Sequence, residues 1–186
     1  MRRTCLCFVL LAACAGEADP STPDANASLA PLGGSGVQGS VEITEMADGE
    51  LRVDADITGL TPGMHGMHVH EWGDCSSADG MSAGGHFNPA MVDHGAPNSA
   101  THHPGDFGNI EADADGRAVF TLTLDAGTFS LSGAAGVLGR AIIVHEKPDD
   151  FGQPTGNAGG RLACGVIQNL DGDAAPVLNP SPDPAA

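Results

Sequence analysis

QGSVEITEMADGELRVDADITGL, residues 38–60, alternates apolar and polar side chains on either side of a turn. Val41 and Ile43 before the turn, and Leu51, Val53, Ala55 and Ile57 after it, repeat every second residue. Side chains of an extended chain point alternately to its two faces, so this period buries one face and wets the other. Between the two segments stands ADGE, where Asp48-Gly49 supplies the positive-φ residue that a tight hairpin needs. Working outward, GMHGMHVHEW (63–72) also reads as extended, and EADADGRAVFTLTLD (111–125) repeats the hairpin pattern with Asp115-Gly116 as its turn. DADG resembles a fragment of a calcium loop, but the later ligands of such a loop are missing and it reads as a turn. FSLSG, GRAIIVHEK and RLACGVIQ complete the extended segments. Short strands with regular turns predict an all-β fold, an antiparallel sandwich or barrel. Between Gly73 and Gly108 no strand pattern exists; the stretch is rich in Gly, Pro, Asn, Asp and His. A loop that long inside a compact domain needs something besides a hydrophobic core to order it.

The totals set the frame. There are 186 residues, enough for one domain with appendages, and 27 Gly with 13 Pro favour turns over long helices. The formal charge of −17 repels phosphate, which argues against nucleic acid and against an anionic membrane surface as partners. Arg2 and Arg3 precede CLCFVLLAAC (5–14), an apolar run too short to span a bilayer, so residues 1–14 read as a secretion signal. LAAC resembles a bacterial lipobox, in which Cys14 would be lipidated; ordinary cleavage near Ala15 or Gly16 is the alternative. Residues 15–27 read as a flexible tether, 28–168 as the folded domain and 169–186 as a disordered tail. With Cys5, Cys7 and Cys14 set aside, only Cys75 and Cys164 remain in the body. In an exported chain such a pair reads as one disulfide, with two unpaired core thiols as the other reading.

Histidine is the informative residue. The eight stand at 65, 68, 70, 86, 94, 102, 103 and 145, most of them in or beside the long loop. His68 and His70 lie two apart on a strand, so both face one side while Val69 faces the core. His86, His94, His103 and Asp106 offer three imidazoles and one carboxylate, a closed four-coordinate set that suits zinc. His145 ends an apolar strand; with His68 and His70 it makes a nitrogen-only set that suits copper.

Five ordered motifs, GMHGMHVHEWGD, GGHFNP, HPGDFGN, GRAIIVHEKPDD and GNAGGRLACGVI, resemble the copper/zinc superoxide dismutases, with the spacing of the bacterial members. The resemblance covers about residues 28–168. It implies an eight-stranded antiparallel Greek-key β-barrel of Ig-like sandwich build, with long metal-binding and substrate-channel loops. It implies copper on His68, His70, His86 and His145, and zinc on His86, His94, His103 and Asp106, the His86 ring being shared. Asp149 corresponds to a carboxylate that links copper and zinc histidines, Arg161 to the group that docks superoxide, and His65 and His102 to no ligand. The implied activity is dismutation of superoxide to oxygen and hydrogen peroxide through Cu(II)/Cu(I), with zinc structural and electrostatic. The expected setting is the periplasm, or the outer membrane through a lipid at Cys14, where the enzyme protects the cell envelope as a homodimer or monomer. The chain departs from animal and plant members between His145 and Arg161, where Lys147 is the sole base. A storage module, an adhesion relative or a zinc hydrolase are rival readings. The intact ligand set argues against the first two, and the closed zinc set against the third.

Overall fold

The computed structural model describes residues 22–170. The strands are β1 (Ala25–Pro31), β2 (Gln38–Glu45), β3 (Leu51–Thr58), β4 (Gly63–His70), β5 (Asp106–Ala112), β6 (Ala118–Leu124), β7 (Ala141–His145), β8 (Arg161–Val166) and the two-residue β9 (Gln168–Asn169). Helix is limited, among the described residues, to one 3-10 turn at Met81–Ala83. Hydrogen-bonded neighbours run β5-β4-β7-β8-β1-β2-β3-β6, every pair antiparallel, with β9 beside β1. The connections from β3 to β4 and from β6 to β7 cross between the halves, which is the Greek-key arrangement. A short turn joins the two ends of the ladder, with Asp113 N–H donating to Arg117 O at 2.9 Å, so the eight strands form a nearly closed barrel.

The alternation in residues 38–60 is realised as β2 and β3. Val41, Ile43, Leu51, Val53, Ala55 and Ile57 are all buried in one core with Val69, Ile110, Ile142 and Val144. Each valine, leucine or isoleucine among them contributes about 1.5–3 kcal/mol by leaving water. Both Asp-Gly turns form, with φ of 85° at Gly49 and 78° at Gly116.

Three elements differ from the sequence reading. The first strand begins at Ala25, inside the segment read as tether, because Ala25 and Ala27 are small enough to bury beside Leu29 yet carry little hydrophobic pattern. β5 begins at Asp106, inside the segment read as loop, and Asp106 pairs with His68. FSLSG is not a strand; it buries Phe129 in the core and makes only isolated bridges. The signal, Cys14 and most of the tail lie outside the described residues.

Candidate metal centre

Strand register sets the histidines. β4 supplies His68 and His70 on one face, while the intervening Val69 joins the core. His68 stands opposite Ile143 of β7 on one side and Asp106 of β5 on the other. At the end of β7, His145 pairs with Arg161 of β8 across an irregularity in the ladder. The loop after β4 folds back so that His86 bridges to His70, and Phe87 N–H donates to Val69 O at 2.9 Å. Gly105 is required where the loop returns, since a Cβ there would lie 2.5 Å from that of Val69.

Two four-residue groups result, each with ligand atoms within 4.8 Å of one another: His68, His70, His86 and His145, and His86, His94, His103 and Asp106. His86 belongs to both. Its ring centroid lies 4.1 Å from that of His68, 5.1 Å from His70, 5.3 Å from His94 and 5.6 Å from His103.

Hydrogen bonds on the far side of each ring decide which nitrogen is left free. His68 Nε2 donates to Asp149 Oδ2 at 2.7 Å, and His94 Nε2 donates to the same carboxylate at 3.0 Å. His70 Nδ1 donates to Gly84 O at 3.0 Å and His103 Nε2 to Val92 O at 3.2 Å. His145 Nδ1 lies 3.5 Å from Gly159 O. The remaining Nε2 atoms of His70 and His145 face each other at 3.4 Å. With both Nδ1 atoms donating, these are two lone pairs rather than a hydrogen bond. Buried without any hydrogen-bond partner are His68 Nδ1, His86 Nδ1, His94 Nδ1, His103 Nδ1 and Asp106 Oδ1. The Nδ1 atoms of His86, His94 and His103 lie 3.4, 2.9 and 3.2 Å from Asp106 oxygens, yet none of them makes a hydrogen bond. Each such orphan costs about 1–3 kcal/mol unless something pairs with it. A cation at each convergence point is what would satisfy them, so the donor set fits two metal ions.

The electrostatics agree. Burial holds His86 at about 4, and burial with neighbouring His68 and His86 holds His145 at about 3. Burial also keeps His70 well below its ordinary value. All three rings are therefore neutral near pH 7, with lone pairs available. Burial pushes Asp106 up, but the surrounding His103, His86 and His94 more than reverse it, and the carboxylate stays ionised. Asp149 behaves alike through His68 and His94. Burial opposes a charge on His94, yet Asp106 and Asp149 outweigh it and raise that ring to about 9. A metal ion at Nδ1 would take the place of that proton.

Residues 37–167 match the family model described as copper/zinc superoxide dismutase, well over half of the chain. The chain belongs to the copper/zinc superoxide dismutase family. It is similar to the crystal structure of the clock protein EA4, with 43% sequence identity, a TM-score of 0.72, and cover of 81% of this chain and 97% of that one. The protein is accordingly an oxidoreductase of the superoxide dismutase type, with copper and zinc as its metals.

Further parts of the dismutase surround the two groups. A cavity of about 460 Å³ opens over His70, His86 and His145, with Arg161 and Gly159 in its wall. Arg161 donates from Nη1 to Gly80 O at 2.6 Å and from Nη2 to Gly84 O at 2.7 Å, which fixes the guanidinium beside the rings. The disulfide expected from the sequence is formed: Cys75 and Cys164 are bonded, their Cα atoms 5.8 Å apart. His65, which corresponds to no ligand, is structural; Nδ1 donates to His145 O at 2.8 Å and Nε2 lies 2.8 Å from Thr61 O. His102 is half-buried, its Nδ1 2.8 Å from His103 O.

Two residues that the sequence reading missed hold this arrangement. Asp149 N–H donates to Asn109 Oδ1 at 2.7 Å while Asn109 Nδ2 donates to Asp149 O at 2.9 Å. Likewise, His94 N–H donates to Gln153 Oε1 at 3.0 Å while Gln153 Nε2 donates to His94 O at 2.8 Å. A side-chain amide gripping a backbone amide leaves no pattern in a sequence. Asp149 itself needs Gly156, at φ 74°, because a Cβ there would collide with its carboxylate.

Asp149→Asn is therefore expected to weaken metal retention by about tenfold to a hundredfold, the usual range for losing a group that orients ligands. The carboxylate accepts from two rings at once, whereas an amide turns an N–H₂ toward one of them. Zinc content after dialysis against a graded chelator series measures it; retention equal to wild type would contradict the role.

Proposed function

We propose that His68, His70, His86 and His145 hold the copper, that His86, His94, His103 and Asp106 hold the zinc, and that superoxide docks on Arg161. The observation that carries this reading is the shared ring: the two groups of converging ligand atoms have His86 in common. Its Nδ1 lies on the Asp106 side, 3.4 Å from Oδ1, which leaves Nε2 for the other group. Bound in these positions, copper would supply a one-electron couple that oxidises one superoxide to oxygen and reduces the next to hydrogen peroxide, while zinc would supply charge and order.

The chain's own residues do the rest. Arg161 offers a small anion a fixed positive charge at the cavity wall, and its backbone bonds to Gly80 and Gly84 remove the need to organise it on binding. His86 also lines the cavity, so Nε2 is placed to hold a proton that the peroxide product needs. Asp149 keeps His68 and His94 in single tautomers. On a surface as acidic as this one, guidance of the substrate falls to local positive charge: the metals, Arg161 and the exposed Lys147.

Arg161→Ala should lower kcat/KM by about tenfold to a hundredfold, since a hydrogen bond to a charged group contributes about 1.5–3 kcal/mol. Copper and zinc content should not change. Arg161→Lys should restore part of the loss through charge without the planar fork. Superoxide consumption by the metallated full chain is the measurement, and undiminished kcat/KM in Arg161→Ala would remove this residue from the reading.

Export to the cell envelope, with a lipid on Cys14, completes the proposal. It is supported by CLCFVLLAAC in the sequence and by the disulfide, a bond that persists in oxidising compartments. Cys14→Ala is expected to move the protein from the membrane to the soluble fraction of the expressing cell. An unchanged distribution would favour cleavage near Ala15 or Gly16.

A further inference from the structure

The geometry points to Met81 as a docking ligand for Cu(I) at the mouth of the cavity, from which the metal passes to the buried histidines. This rests on the assignment of copper to His68, His70, His86 and His145. Those rings are poorly accessible: His68 is 0%, His70 1%, His86 8% and His145 5% exposed. Met81 lines the same cavity and is 61% exposed. Of the three exposed methionines among the described residues, the others being Met64 and Met91, it alone lines that cavity. A thioether is a soft ligand that suits Cu(I), and it does not titrate, so protons do not compete for it.

The turn that presents Met81 is anchored on several sides. Met81 N–H donates to Asp79 Oδ1 at 3.0 Å. Ser77 and Ser82 exchange hydrogen bonds, Ser82 N–H to Ser77 Oγ at 2.9 Å and Ser77 N–H to Ser82 Oγ at 3.1 Å. Ser82 Oγ donates to Asp74 O at 2.8 Å, next to the disulfide at Cys75. An apolar side chain held out in water on so firm a platform gains nothing from burial, which asks for another use. Arg161 would repel a cation here, but Asp79 stands within its field as an ionised carboxylate, stabilised chiefly by hydrogen bonds from the turn. The transfer is a ligand exchange. Copper keeps its oxidation state, one thioether bond breaks and imidazole bonds form at free nitrogens.

The test is Cu(I) uptake by the zinc-loaded, copper-free full chain, under anaerobic conditions, from a chromophoric Cu(I) chelator followed by stopped flow. Met81→Leu should load more slowly by roughly tenfold, because a first ligand at the rim makes capture by the histidines intramolecular. Its final stoichiometry should equal wild type. Met91→Leu, at the most exposed of the three, should load as wild type. Cu(II) uptake should be the same in all three proteins, since the thioether favours the reduced ion. Loading of Cu(I) by Met81→Leu at the wild-type rate, or an equal slowing with Cu(II), would overturn the inference. His145→Ala separates the two readings: it should lower final copper affinity without slowing first capture. Wild-type copper affinity in that variant would overturn the histidine assignment and this inference with it.

Discussion

His86→Ala is expected to lower superoxide turnover by roughly a hundredfold or more, and to loosen two metals rather than one. Losing a group that merely orients a ligand costs about tenfold to a hundredfold, so losing a ligand common to both groups sets that as a floor. The variant leaves His68, His70 and His145 on one side and His94, His103 and Asp106 on the other, each a three-ligand set with an open position. His94→Ala is the control, because it removes a residue from only one of the two four-residue groups. Metal analysis on the two variants beside superoxide consumption reads the difference. His86→Ala retaining both metals and full turnover would exclude a shared ring.

Breaking the disulfide by Cys75→Ala with Cys164→Ala is expected to give the largest loss of stability. The bond closes a separation of 89 residues. Loop-entropy models give such a closure about 4–5 kcal/mol, a model-dependent figure. For a chain of this size that corresponds to a fall in Tm on the order of 10–15 °C. Function should suffer as well. Cys164 lies three residues beyond Arg161, and Arg161 reaches Gly80 and Gly84 in the loop that Cys75 anchors. Differential scanning calorimetry of the metallated variant is the check, and a fall of less than about 2 °C would show that the metals alone hold the loop.

How far the residues spoke for themselves varies with the kind of interaction. β2 and β3 were legible because burial of one face leaves a period of two in the chain. His68 and His70 were legible for the same reason, and Val69 between them reached the core as expected. The start of β1 was not, because Ala25 and Ala27 bury too little apolar surface to stand out beside prolines and acids. Asp106 was read as a ligand in a loop. That it also opens β5 and pairs with His68 depends on a strand partner far away in sequence. FSLSG carries strand-like residues, yet Phe129 buries from an isolated bridge instead of a strand, where tertiary packing overrides local preference. The amide grips of Asn109 on Asp149 and of Gln153 on His94 exist only once the two loops are folded together.

Crystals of the metallated full chain, measured for anomalous scattering on either side of the copper and zinc absorption edges, test the arrangement most directly. The expected result is two peaks separated by the His86 imidazole, copper among His68, His70 and His145, zinc among His94, His103 and Asp106. A single peak, or either metal away from His86, would contradict it.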